Sequence, residues 1–168
     1  MRGILNKKWR LFFAVTLFYL LLIITGYLIN PVRLPITETN FVENLQFSVI
    51  LYHNLRIIIL ISAGGLFLLI PTILVFMWNG FLTGVLISQM QKTNWIIILL
   101  LHGVPEIIGQ ICASISAVYL FKWLINKFFR NKKLSFKYIL NWFLLSIFFT
   151  LLSAIIECKI SVKLIHSF

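Results

Sequence analysis

A chain of 168 residues that is 61% hydrophobic, with a mean hydropathy of +1.01, is too apolar for a soluble globular domain and long enough for one membrane unit, residues 1–168. Its 15 Lys and Arg face only four acids, Glu38, Glu43, Glu106 and Glu157, giving a formal net charge of +11. In a soluble protein that excess would point to nucleic acid. Here the charges lie between apolar runs, where they follow insertion topology, and a nucleic-acid partner is not expected.

The N-terminus carries Arg2, Lys7, Lys8 and Arg10 ahead of the uncharged run Leu11 to Ile29. That order imitates a signal peptide, but the run exceeds a signal h-region and Thr25-Gly26-Tyr27-Leu28-Ile29 offers no small-x-small cleavage site. It is expected to be a retained first helix that Pro31 ends. Within 31–56, Asn40 and Glu43 resemble a capping box, and Phe41, Val42, Leu45, Val49 and Tyr52 recur at helical spacing. A short amphipathic helix lying in the membrane interface is expected there.

Ile57 to Met90 then runs without a charge, too long for one crossing of about 20 residues. Basic residues number four before the first helix, two in 31–56, one in 91–94, six from Lys122 to Lys137 and two after 157. One crossing between 57 and 90 would put the two basic clusters on opposite sides, whereas two crossings put both in the cytoplasm, as Lys/Arg bias demands. The break is expected near Trp78-Asn79-Gly80, with a kink at Pro71. The predicted fold is all-α, a bundle of about five spans at 11–29, 56–76, 78–90, 95–121 and 138–157. The third is short or re-entrant, 122–137 is a cytoplasmic basic loop, the N-terminus is inside and the C-terminus outside.

Span four carries His102 and Glu106, four residues apart on one face and roughly 10 to 17 Å from the outer end by the helical rise. Gly109, Ala113 and Ala117 continue that face as a ladder of small residues, and Gly80-x-x-x-Gly84 is a second helix-packing signal. On span five, Ser146, Thr150, Ser153 and Glu157 share a stripe. The outer ends therefore gather His53, Asn54, Arg56, His102, Glu106 and Glu157 into a polar cluster. A carboxylate in hydrocarbon must be protonated or paired, with His102 or Arg56 as candidate partners for Glu106. Such a group serves either as a polar clamp between helices or in transport, proton relay or metal binding.

Catalytic and cofactor motifs are absent. His102-x-x-x-Glu106 lacks the second histidine and the order of HExxH, and without Asp there is no serine triad. Neither a metal nor a cofactor is expected. Cys112 and Cys158 are too far apart along their helices for a disulfide. The Lys122 to Lys137 segment follows from insertion topology, with anionic-lipid binding as an addition.

Three places resemble the stage II sporulation protein M family. His53-Asn54-Leu55-Arg56, leading to Gly64, Gly65 and Asn79-Gly80-x-x-x-Gly84, is similar to its Asn-rich entry and Asn-Gly element. Leu101-His102-Gly103-Val104-Pro105-Glu106 resembles its His-Gly-x-x-Glu signature, and Ala154-Ile155-Ile156-Glu157 its closing acidic position. The sequence departs from the pattern in having His53 where Asn is usual and in placing Pro105 before the glutamate. The resemblance implies a non-enzymatic membrane scaffold that in spore formers assembles with peptidoglycan-degrading enzymes. Short members encoded with circular bacteriocins imply maturation, export or producer immunity. Expected partners are membrane lipids, other membrane subunits or a peptide, and a further copy of the chain. An ion- or proton-coupled transporter and an intramembrane hydrolase are the alternatives.

Overall fold

The computed structural model describes residues 2–29, 47–89, 93–130 and 135–161. Five α-helices follow one another, with no strand among the described residues: α1 (Arg2–Ile29), α2 (Phe47–Ala63), α3 (Ile70–Gln89), α4 (Thr93–Ile125) and α5 (Lys137–Ile156). A 3-10 turn, Gly64–Leu66, extends α2, and π turns close α4 (Asn126–Arg130) and α5 (Glu157–Ser161). The five helices are each long and apolar enough to cross a membrane. The expected all-α bundle and its number of long apolar helices are thus found.

The boundaries within 57–90 differ from the expectation. The chain turns at Gly64–Leu69, not at 78–80, so α3 is 20 residues long and not the short third segment expected. Three local features explain this. A Cβ on Gly64 would run into the backbone of Thr72, so only glycine lets the two helix ends meet there. Leu68 and Leu69 adopt left-handed conformations, φ 54° and 64°, which reverse the chain. The Thr72 hydroxyl then donates to the Ile61 carbonyl at 2.7 Å and ties the start of α3 to the end of α2. Pro71 sits in the first turn of α3, where its missing N–H is not needed, instead of kinking a helix interior. Asn79 is absorbed into the helix, its Nδ2 donating to the Val75 carbonyl at 2.8 Å.

Two other expectations shift. Val49 and Tyr52 belong to α2, and the rest of the predicted interfacial helix, residues 41–45, lies outside the described residues. The segment 122–137 is not simply a loop, since α4 and its π turn continue to Arg130.

Helix α4 is the centre of the bundle. Residues 109–117 are all buried, because α1, α2 and α5 surround them. Contacts fix the directions. Ser116 donates to the Ile139 carbonyl at 3.1 Å, so α5 runs antiparallel to α4. Gly65 meets Ala117 and Leu120, so α2 ends where α4 ends. Phe12 stacks on Trp142 at 6.4 Å, which brings the start of α1 to the start of α5. The N-terminal end of α1 and the α4–α5 connection therefore share one end of the bundle.

Close approach of α1 and α3 uses glycine. A Cβ on Gly84 would overlap the Ile23 carbonyl oxygen, and one on Gly26 would overlap the Phe81 carbonyl oxygen. Gly80 packs on Leu22 and Tyr19. These two helices run parallel, with backbones nearly touching, a geometry that gains packing and weak C–H···O contacts where lipid supplies no hydrophobic drive.

Candidate functional site

A set of interior polar groups forms a chain between helices. Tyr19 of α1 is 1% exposed and packs edge-on against Phe76 of α3, ring centroids 4.7 Å apart. Its hydroxyl donates to Gln110 Oε1 at 3.0 Å, and Gln110 Nε2 donates to Glu106 Oε1 at 3.0 Å, one turn along α4. Ser114 Oγ donates to the Gln110 carbonyl at 3.0 Å. Thr83 of α3 stands beside the Tyr19 phenol, and its hydroxyl is anchored on the Asn79 carbonyl at 2.8 Å. At the far end, Glu157 begins the π turn after α5 and interacts electrostatically with Glu106.

The amide of Gln110 is oriented by this chain: its oxygen accepts from a phenol and its nitrogen donates to a carboxyl, so each neighbour fixes the other. In a low-dielectric interior every such group needs its partner. Glu106 is thus held by Gln110. Arg56 does not reach it, because two residues beyond the buried Asn54 the helical turn carries Arg56 outward, where it is exposed.

The six polar residues expected at one end are not all brought together. Glu106 and Glu157 are brought together. Asn54, 7% exposed, points into the bundle, whereas His53 and Arg56 are on the outside of α2. His102 lies on α4, but its side chain is outside the described residues. With His53 turned out and Glu106 turned in, those two cannot share an ion, and no group of three metal-ligating side chains occurs among the described residues. Cys112 and Cys158 are not joined in a disulfide, the first being buried and the second half-buried.

Gly80 and Gly84 sit on the α1–α3 contact. Gly109 meets Thr150 Oγ1 and the Ser146 carbonyl on α5, at a Cβ distance of 3.1 and 3.3 Å, and Ala113 is fully buried. The α5 stripe is likewise internal: Ser146, Thr150 and Ser153 are each 0% exposed. Ser146 and Thr150 satisfy their hydroxyls on the carbonyls of Phe143 and Ser146 at 2.7 and 2.9 Å.

Tyr19, Thr83 and Gln110 do not stand out in the sequence, because none is charged and Tyr19 lies in an aromatic-rich run. Gln110 had a signal, its position one helical turn after Glu106.

Five helices long and apolar enough to cross a membrane, with Tyr19, Gln110 and Glu106 bonded to one another in the interior, mark an α-helical membrane protein. Within that class the chain belongs to the stage II sporulation protein M family, which matches residues 11–162. It is similar to an uncharacterized protein of Methanocaldococcus jannaschii, 33% identical over 143 residues that cover 75% of this chain and 78% of the relative. No solved structure matches it.

Proposed function

We propose that this protein is a non-catalytic membrane subunit of a larger assembly that serves bacteriocin maturation, export or immunity. The observation that carries the non-catalytic part is the use of the interior polar side chains. Tyr19, Gln110 and Glu106 are engaged with one another across helices, as in a clamp that sets helix positions. The bacteriocin setting rests on the small, very basic chain, which resembles the short family members encoded with circular bacteriocins.

A second reading, a scaffold for cell-wall remodelling enzymes, is favoured by the family, whose description is a sporulation protein. In either setting the protein resides in the bacterial cytoplasmic membrane with the N-terminus inside and the C-terminus outside. Supporting this orientation, the start of α1 lies at the same end of the bundle as Lys122, Lys127 and Lys137, the end that Lys/Arg bias assigns to the cytoplasm.

Reconstitution tests the non-catalytic role. The purified chain in liposomes is expected neither to hydrolyse peptide or lipid nor to move ions or peptide. Turnover by the chain alone would make it an enzyme, and coupled flux would make it a transporter.

A further inference from the structure

At the end of the bundle that carries the basic segment, a groove of about 280 Å³ opens on the surface between α2, α4 and α5. Ile59 and Ala63 form one wall, Leu120 the floor, and Phe136, Leu140 and Phe143 the other wall. Ser62 also lines it, and its hydroxyl has an unusual status: among the described residues it is the buried side-chain oxygen with no hydrogen-bond partner, on a residue 8% exposed. A helical serine ordinarily returns its proton to the carbonyl one turn back. Ser116, the other polar residue of the lining, already donates to the Ile139 carbonyl, so an unmet donor in the wall of a mostly apolar slot calls for an occupant that is hydrocarbon with an acceptor near one end.

The mouth of the groove supplies the second half of the recognition. Phe136 stands edge-on to Trp123 at 5.8 Å, and Lys127 Nζ lies 4.8 Å from the Trp123 ring, a cation–π contact. Lys137 is exposed next to Phe136. From residue 107 to 156 there is no acid, so nothing on this face neutralises the lysines. Along α4, Lys122 and Lys127 stand roughly 3 and 10 Å beyond Leu120 by the helical rise. That offset puts the ammonium groups above the slot and the Ser62 hydroxyl in its wall, one side-chain rotation from its space.

We propose that this groove binds one acyl chain of an anionic glycerophospholipid, with Ser62 donating to an ester carbonyl and Lys127 and Lys137 holding the headgroup phosphate. This is a defined lipid site, distinct from the general attraction of a basic segment to an anionic leaflet, and it does not depend on the assembly in which the protein works.

The test is native mass spectrometry of the full chain released from nanodiscs containing equal amounts of phosphatidylglycerol and phosphatidylcholine with identical chains. Wild type is expected to retain one phosphatidylglycerol with about tenfold preference or more, the scale of two lysines near a headgroup. The double variant K127Q/K137Q is expected to lose most of that preference while still holding a lipid chain. Leu140→Trp, a substitution of a half-exposed side chain on the groove wall, is expected to lose the bound lipid of either type. Ile59→Trp fills the slot from the facing helix and must act alike; unchanged circular dichroism and elution volume establish that each variant folds.

Equal retention of the two lipids by wild type overturns the proposal, as does retention by both tryptophan variants. Displacement of the lipid by glycerol phosphate, which has no chain, would show a headgroup site alone and also overturn it. A disulfide between Leu140→Cys copies in lipid, on a background without the native cysteines, would give the groove to a second copy of the chain.

Discussion

The Tyr19 hydroxyl reaches Gln110 Oε1 at 3.0 Å across 91 residues of sequence, joining α1 to the central helix at a point where both side chains are almost completely enclosed. Because Gln110 in turn donates to Glu106, this one contact links the first helix to the carboxyl that the sequence singles out. Phe76 backs the phenol ring from α3, so three helices meet there.

Tyr19→Phe removes the donor and leaves the amide oxygen of Gln110 without it. The expected loss is about 0.6 to 2 kcal/mol of unfolding free energy, the range for interhelical hydrogen bonds in membrane proteins and buried bonds generally. Thermal or denaturant unfolding in detergent measures it. A cycle with Gln110→Leu is expected to show positive coupling, since the double variant leaves no orphan between these two groups.

Glu106→Gln keeps an acceptor for Gln110 Nε2, whereas Glu106→Leu does not. The first is expected to preserve stability within about 0.5 kcal/mol and the second to lose about 1 to 3 kcal/mol. Equal stability of both variants would remove Glu106 from the clamp.

Gly84→Val places a side chain where the Ile23 carbonyl already stands. Its expected cost is about 1 to 3 kcal/mol or failure to fold, against about 0.5 kcal/mol or less for Leu86→Val, two residues on at a partly exposed position. The two variants compared by yield of monodisperse protein and by unfolding midpoint test the parallel α1–α3 contact.

The reversal at Gly64–Leu69 predicts a pattern of accessibility. On a background without Cys112 and Cys158, Leu68→Cys is expected to react with a membrane-impermeant maleimide from the side on which Lys127→Cys reacts. Trp78→Cys, nine residues into α3, is expected to be protected in intact membranes. The opposite pattern would restore a break at 78–80.

How far the fold is legible in the sequence turns on what each residue type signals. Charge counting calls for two crossings between 57 and 90, because the positions of Lys122 to Lys137 relative to the N-terminus constrain the parity of the chain, and two helices long and apolar enough to cross, α2 and α3, span that stretch. The site of the turn was misread because Asn79 and Gly80 look like turn residues, yet a glycine serves equally to let two backbones touch, and Gly80 and Gly84 face α1. The actual turn opens on Gly64-Gly65, a turn-marking pair, but reverses through Leu66 to Leu69, which carry no turn signature, and is fixed by the close approach at Gly64 and by the Thr72 hydroxyl.

Of the polar cluster, charge identified Glu106 and Glu157 but could not distinguish Asn54, which is inside, from Arg56, which is outside. That difference is one of angle around α2, and depth alone does not contain it. Tyr19 was silent for the opposite reason, its aromatic body matching the apolar run that surrounds it.

The proposed role is tested most directly by deleting the gene in its own host and complementing it with wild type or Glu106→Gln. Secreted bacteriocin activity and producer survival are measured, with membrane levels of the protein confirmed equal. Loss of either activity on deletion, restored by wild type and also by Glu106→Gln, which keeps the acceptor for Gln110, is the predicted result. Unaltered bacteriocin output and immunity in the deletion strain would contradict it, and a wall defect in that strain would move the protein to the remodelling role.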